Sequence, residues 1–184
     1  MKSKYILVVV VSLFYVTFLK AQIYTGKTYQ VSFFSDGPVE DIAATSKSAQ
    51  VILNTANNGI AVKVTIKGFD FEKKLMQEHF NEKYMESDKY PYATFTGKIK
   101  DSIDYKKDGV YKITVAGKLN MHGVEKDRNI QGTLAVKGGE IIIDSKFPVA
   151  LKDHNIEIPT LVAQNIAEIV DVTLKFTLTE FKAK

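Results

Sequence analysis

At 184 residues, the chain is long enough for one domain with a substantial core and too short for two comfortable ones. Its formal charge of +4 belongs largely to the first 21 residues, which carry three Lys and no acid: 25 basic against 21 acidic residues become 22 against 21, a net of +1, once they are set aside. That balance leaves a nucleic-acid partner without compositional support, and the absence of cysteine excludes disulfides, thiolate metal sites and an acyl-cysteine anchor.

Lys2 and Lys4 precede an apolar run from Tyr5 to Leu19, and Lys20, Ala21 and Gln22 follow. A basic start, a short apolar stretch and a small residue at its end make a secretory signal. The run is shorter than the roughly 20 apolar residues that span a bilayer. Residues 1–21 therefore read as a signal peptide, cleaved near Ala21 or kept as an uncleaved anchor, with residues 22–184 as one periplasmic or secreted domain.

Beyond Gln22 the dominant period is two. Tyr29, Val31 and Phe33 alternate with Gln30 and Ser32. Ala49 to Asn54 is a short apolar-rich run closed by Asn57-Asn58-Gly59, a turn signal. Val62, Val64 and Ile66 then alternate with Lys63, Thr65 and Lys67. The period breaks from Phe71 to Met85, where Phe71, Leu75, Met76, Phe80 and Tyr84 recur at helical spacing among charged residues. This predicts one amphipathic helix over about 71–85, with Asp70 as its N-cap, packed on the sheet or capping it.

Alternation resumes in Tyr92 to Lys100, where Ala93, Phe95, Gly97 and Ile99 share a face, and is clearest in Val110 to Met121, where Tyr111, Ile113, Val115, Gly117, Leu119 and Met121 do. Ile130 to Val136, Ile141 to Phe147 and Val170 to Thr179 repeat it, the last with Val172, Leu174 and Phe176 on one side. Lys152 to Asn165, with Pro159 inside, reads as an irregular loop or a short helical turn. About eight strands, each with one wet and one dry face, predict an all-β antiparallel barrel, a size that either fills with side chains or holds one small ligand. The inward face should carry Val62, Val64, Ile66, Phe95, Ile99, Ile113, Val115, Leu119, Val172, Leu174 and Phe176.

Catalytic signatures do not emerge. His79, His122 and His154, the three histidines, stand in different elements without metal-ligand spacing, and no serine sits in a Gly-x-Ser-x-Gly elbow. Glu78 and Glu82 share a helix face with lysines and read as solvated. Neither a catalytic residue, a metal nor a cofactor is expected. His122 should instead hold the turn before Val124 through a backbone hydrogen bond, with Gly123 in a conformation other residues avoid.

Two segments carry a resemblance. Phe69-Asp70-Phe71-Glu72-Lys73-Lys74-Leu75-Met76-Gln77-Glu78-His79-Phe80, continuing through Tyr90-Pro91-Tyr92-Ala93-Thr94-Phe95, is similar to the helix and following strand of the YceI-like family of exported, polyisoprenoid-binding, lipocalin-like proteins. Gly117-Lys118-Leu119-Asn120-Met121-His122-Gly123-Val124 resembles that family's Gly-x-Leu-x-x-His-Gly-Val turn, which leads into a Lys- or Arg-bearing return strand, here Glu125 to Ile130. The chain departs from the family at Glu72-Lys73, where Arg-Asp is common, and at Ser145-Lys146-Phe147-Pro148-Val149, where Arg-Ser/Asn-Asp-Phe-Gly is usual.

The resemblance implies an extended lipocalin-like barrel with an apolar channel and a non-catalytic role in binding, storing or transporting a long apolar ligand such as an isoprenoid lipid. Phe69, Met76, Phe80, Phe95, Gly97, Ile113, Val115, Gly117, Leu119, Leu174 and Phe176 are the expected lining; Gly97 and Gly117 either relieve strand curvature and fit tight packing or leave a slot for the ligand, and the pattern alone does not choose. Transient membrane contact and a homodimer are compatible with this reading. A metal-assisted hydrolase using the histidines, or a filled structural or partner-binding barrel, stands as the alternative.

Overall fold

Strands with one dry face must bury it, and a sheet of eight can do so by closing on itself. The computed structural model describes residues 22–37, 40–158 and 167–182. The proposed signal segment, residues 1–21, and residues 159–165 of the expected loop lie outside the described residues. Among the described residues ten strands form: β1 (Ile23–Ser35), β2 (Ile42–Ser46), β3 (Ala49–Asn54), β4 (Gly59–Thr65), β5 (Phe69–Phe71), β6 (Tyr92–Ile99), β7 (Gly109–Met121), β8 (Val124–Lys137), β9 (Glu140–Ala150) and β10 (Ile169–Glu180). Eight of them close an antiparallel ring in the order β10-β9-β8-β7-β6-β4-β3-β1, with β1 pairing back onto β10.

The alternation read from the sequence sets the inside. Ile99, Ile113, Val115, Leu119 and Phe176 are buried, while Lys112, Lys118 and Lys175 on the opposite parity are exposed. A one-residue slip in any strand would exchange these sets, so the register is strongly specified.

β1 does two jobs. Its first residues, Ile23 to Thr25, pair with β3; its last, Val31 to Ser35, pair with β2, which in turn pairs with β5. β2 and β5 thus make a flap beside the ring. Neither strand is evident in the sequence. Ala43, Ala44 and Ser46 give β2 almost no hydrophobic contrast, and three residues are too few to show a period.

The helix departs from expectation. α1 spans Lys74–His79 and continues as one wider π turn, Phe80–Tyr84, in which the Met85 N–H donates to the Phe80 carbonyl at 2.9 Å. Asp70 is not its N-cap but pairs with Thr45 in the flap, and the N-cap position falls on Lys73, which makes no side-chain cap bond. Phe69 and Phe71 both bury their rings as alternating strand residues, and that burial outweighs the helical spacing that begins at Phe71. Leu75, expected on the dry face, is 61% exposed.

The β7–β8 connection is a two-residue turn. His122 and Gly123 have φ of 52° and 75°, the left-handed pair that suits the twist of a tight hairpin.

Candidate functional site

The barrel is packed at one end and hollow at the other. Around the turn Asn57 to Gly59, Leu53, Ile99, Leu134, Val136, Ile141 and Leu178 fill the interior, each no more than 4% exposed. Toward β2, β5 and α1 the same inward rows border a cavity of ≈ 360 Å³, within the span of roughly 300–1,000 Å³ typical of ligand pockets. Val62 and Val64 of β4, Ile130 of β8, Ile143 and Phe147 of β9 and Val172 of β10 are among its walls.

Aromatic rings roof this end. Phe80 stacks on Phe33 at 5.5 Å between centroids and meets Phe71 at 5.0 Å and Phe69 at 5.6 Å. Met76, Tyr84 and Met85 complete the roof beside them. Such a set is large, apolar and, through its methionines, adaptable in shape. Polar side chains at the walls are few, and several already have protein partners. Glu40 pairs with Lys73; the Ser35 hydroxyl accepts from the Ala167 N–H at 3.0 Å; the Ser145 hydroxyl donates to the Gln131 carbonyl at 2.6 Å.

Of the residues expected to line a channel, Phe69, Met76, Phe80, Phe95, Ile113, Val115, Leu119, Leu174 and Phe176 do border this cavity. Gly97 and Gly117 do not, which favours tight packing over a slot at these two positions. They are register partners on β6 and β7. A Cβ on Gly117 would lie 2.4 Å from the Thr96 carbonyl oxygen, 2.6 Å from the Gly97 Cα and 2.8 Å from the Phe95 ring. The glycines permit close backbone approach, so they are a packed feature of the wall.

Phe33 and Phe71 were not anticipated as lining. Phe33 has the inward parity of β1, a usable signal, but Phe71 was assigned to a helix. The flap that brings both under Phe80 exists only through pairing between β1, β2 and β5.

The histidines separate. His79 borders the cavity at its roof. His122 and His154 meet away from it, and through the backbone: His122 Nδ1 lies 3.0 Å from the His154 carbonyl oxygen, and His154 Nδ1 lies 3.1 Å from that of Val124. His122 Nε2 is 2.9 Å from a Glu86 carboxylate oxygen, and the Tyr90 ring meets its edge. His122 therefore makes the expected backbone bond, but to another segment rather than to its own turn. Burial pushes the His154 pKa below its ordinary value, against the opposing pull of the Val124 and Met121 carbonyls. Among the described residues, no group of three or more His, Cys, Asp or Glu could hold a metal ion.

Comparison with known proteins agrees with this architecture. The model of the YceI-like domain matches residues 15–178. A polyisoprenoid-binding domain from Saccharophagus degradans, implicated in plant cell wall breakdown, superposes with a TM-score of 0.74 at 15% identity, over 86% of this chain and 98% of that one. Burkholderia cenocepacia BcnA gives 0.68 at 20% identity, over 81% and 95% of the two chains. The YceI protein of Campylobacter jejuni gives 0.53 at 18% identity, over 100% and 92%. No curated protein matches the chain.

Proposed function

The chain belongs to the YceI-like family, and from that premise we propose that it is an exported, non-catalytic protein that binds, stores or carries a long apolar lipid, an isoprenoid, in the hollow half of its barrel. The observation that carries the proposal is the ≈ 360 Å³ cavity walled by aliphatic and aromatic side chains inside a closed sheet. Each methylene transferred from water into such walls contributes about 0.8 kcal/mol at most. Ordering the chain subtracts from that sum, yet several isoprene units still suffice for firm binding without a polar contact. The polyisoprenoid-binding domain of S. degradans shares the fold, which supports the ligand class.

Native mass spectrometry of the protein recovered from the exported fraction tests this directly. A bound mass matching a prenyl lipid, released by organic extraction, is expected, on a chain beginning near Gln22. A protein that carries no lipid and takes up no added geranylgeraniol would sink the proposal.

A further inference from the structure

The roof over the hollow end is held at its ends rather than along its length. No residue of α1 or of the π turn is fully buried, and Lys73 at the N-cap makes no side-chain cap bond. So short a helix does not persist without tertiary support. The segment therefore belongs to the low-stability parts of the fold, which open locally. At its start Lys73 pairs with Glu40 on the exposed rim. At its end Met85 is buried against Ile66 and Ile156, and Glu86 reaches His122.

Glu86 has a φ of 42°, a region that residues other than glycine seldom enter and that persists only where surrounding contacts impose it. Its carbonyl accepts from the Lys89 and Tyr90 N–H groups at 2.8 and 2.9 Å, a tight turn that leads to the Tyr90 ring beside His122. The His122 side chain, only 10% exposed, joins its own β7–β8 turn to two other segments. It holds the roof through Glu86 and the Leu151–His154 turn through the His154 carbonyl. That second turn leads directly to Ile156, which packs on Met85. One imidazole thus clamps both segments that secure the end of the roof.

Both ring nitrogens of His122 face oxygen, Nδ1 the His154 carbonyl at 3.0 Å and Nε2 the Glu86 carboxylate at 2.9 Å. A carbonyl only accepts, so Nδ1 must carry the N–H. A neutral imidazole then has only a lone pair at Nε2, which repels a carboxylate. One further proton, on Nε2 or on the Glu86 carboxyl, completes both bonds. We propose that His122 and Glu86 form a proton-dependent latch on the roof of the cavity, closed while the pair holds that proton and slack once it is lost. What passes the roof is the apolar chain proposed above, and the role of the latch rests on that reading.

Other charges stand near. Lys89 lies over the Tyr90 ring at 4.8 Å, the buried His154 ring feels Arg128 and Asp153, and His79 sits in the roof itself. All are kept in the variants below, so differences between variants belong to the pair.

Hydrogen–deuterium exchange over residues 74–85 of the ligand-free protein tests the latch, in mildly acidic and mildly alkaline buffer, with the intrinsic chemistry of exchange corrected for. In acid, Glu86→Ala should exchange roughly fivefold faster than the wild type across the roof, through loss of one charge-assisted hydrogen bond at a half-exposed site. The wild type should approach that rate in alkali. Glu86→Gln supplies an amide N–H to a neutral Nε2, so its roof should stay protected at nearly the same rate in both buffers. Glu125→Ala, which breaks an exposed ion pair with Lys118, should leave the roof unchanged. Release of geranylgeraniol should follow the same ranking, fastest from Glu86→Ala. Equal roof exchange in the wild type and Glu86→Ala would overturn the latch. An identical pH response in the wild type and Glu86→Gln would overturn it as well, since no shared proton would then be involved. A protein that shows the exchange pattern yet binds no geranylgeraniol would keep the latch and sink the apolar-chain reading instead.

Discussion

The packed and hollow ends are built from the same strands with the same alternation, yet they do opposite things. At the packed end, Leu53, Leu134, Ile141 and Leu178 reach complete burial, and the loop after β6 brings Tyr105 against them. There the Tyr105 hydroxyl donates to the Asn58 side chain at 3.0 Å, and burial pushes its pKa up to about 12. At the hollow end the inward residues are no more polar, but β2, β5 and α1 hold the wall and roof apart, so Val172 and Leu174 stay only half-buried around the space. Hydrophobicity alone does not make a core; the rows must also converge closely enough to interdigitate.

Deleting methylenes should expose the contrast most strongly. Leu178→Ala is expected to cost about 4 kcal/mol in urea denaturation, because a void opens among fixed neighbours. Leu174→Ala, at a site that already borders space, should cost under about 1.5 kcal/mol, and equal losses at both positions would mean the hollow end is filled.

Between the two regions stand Gly97 and Gly117. Gly117→Ala should destabilise by about 2 kcal/mol in the ligand-free protein, since its Cβ would meet backbone rather than cavity. A neutral or stabilising result would return this glycine to the cavity wall.

Enlarging a residue at the hollow end should do the reverse. Val172→Phe is expected to shift stability by less than about 1 kcal/mol and to lower prenyl-lipid co-purification severalfold. Severe destabilisation with unchanged lipid content would contradict the cavity's role.

The smallest effect concerns pH at the turn that follows β9. His154 is fully buried, with its pKa below the ordinary 6.5, so the folded state binds fewer protons than the unfolded one. Its stabilising contribution is complete above about pH 6.5 and is lost as pH falls from there through the lowered folded value. His154→Gln should flatten that slope in denaturation curves; an unchanged slope would assign it to other groups.

Much of this was legible along the chain. Period-two rows in β4, β6, β7 and β10 determined which side chains face inward, because strand geometry alternates faces whatever the tertiary context. The His122-Gly123 turn was legible for a similar reason, since only residues tolerant of positive φ suit a two-residue hairpin. The short flap β2–β5 was not, nor the reduction of the helix to α1 and one π turn, because partners distant in sequence decide both. The fate of the small residues was also beyond one-dimensional reading. Gly97 and Gly117 mark a close approach rather than a vacancy, and that depends on which glycine lies across the ladder. The same limit applies to the parting of β8 and β9: residues 124–131 continue a strand in sequence without a break, and only the divergence of β9 leaves them paired with β7 alone.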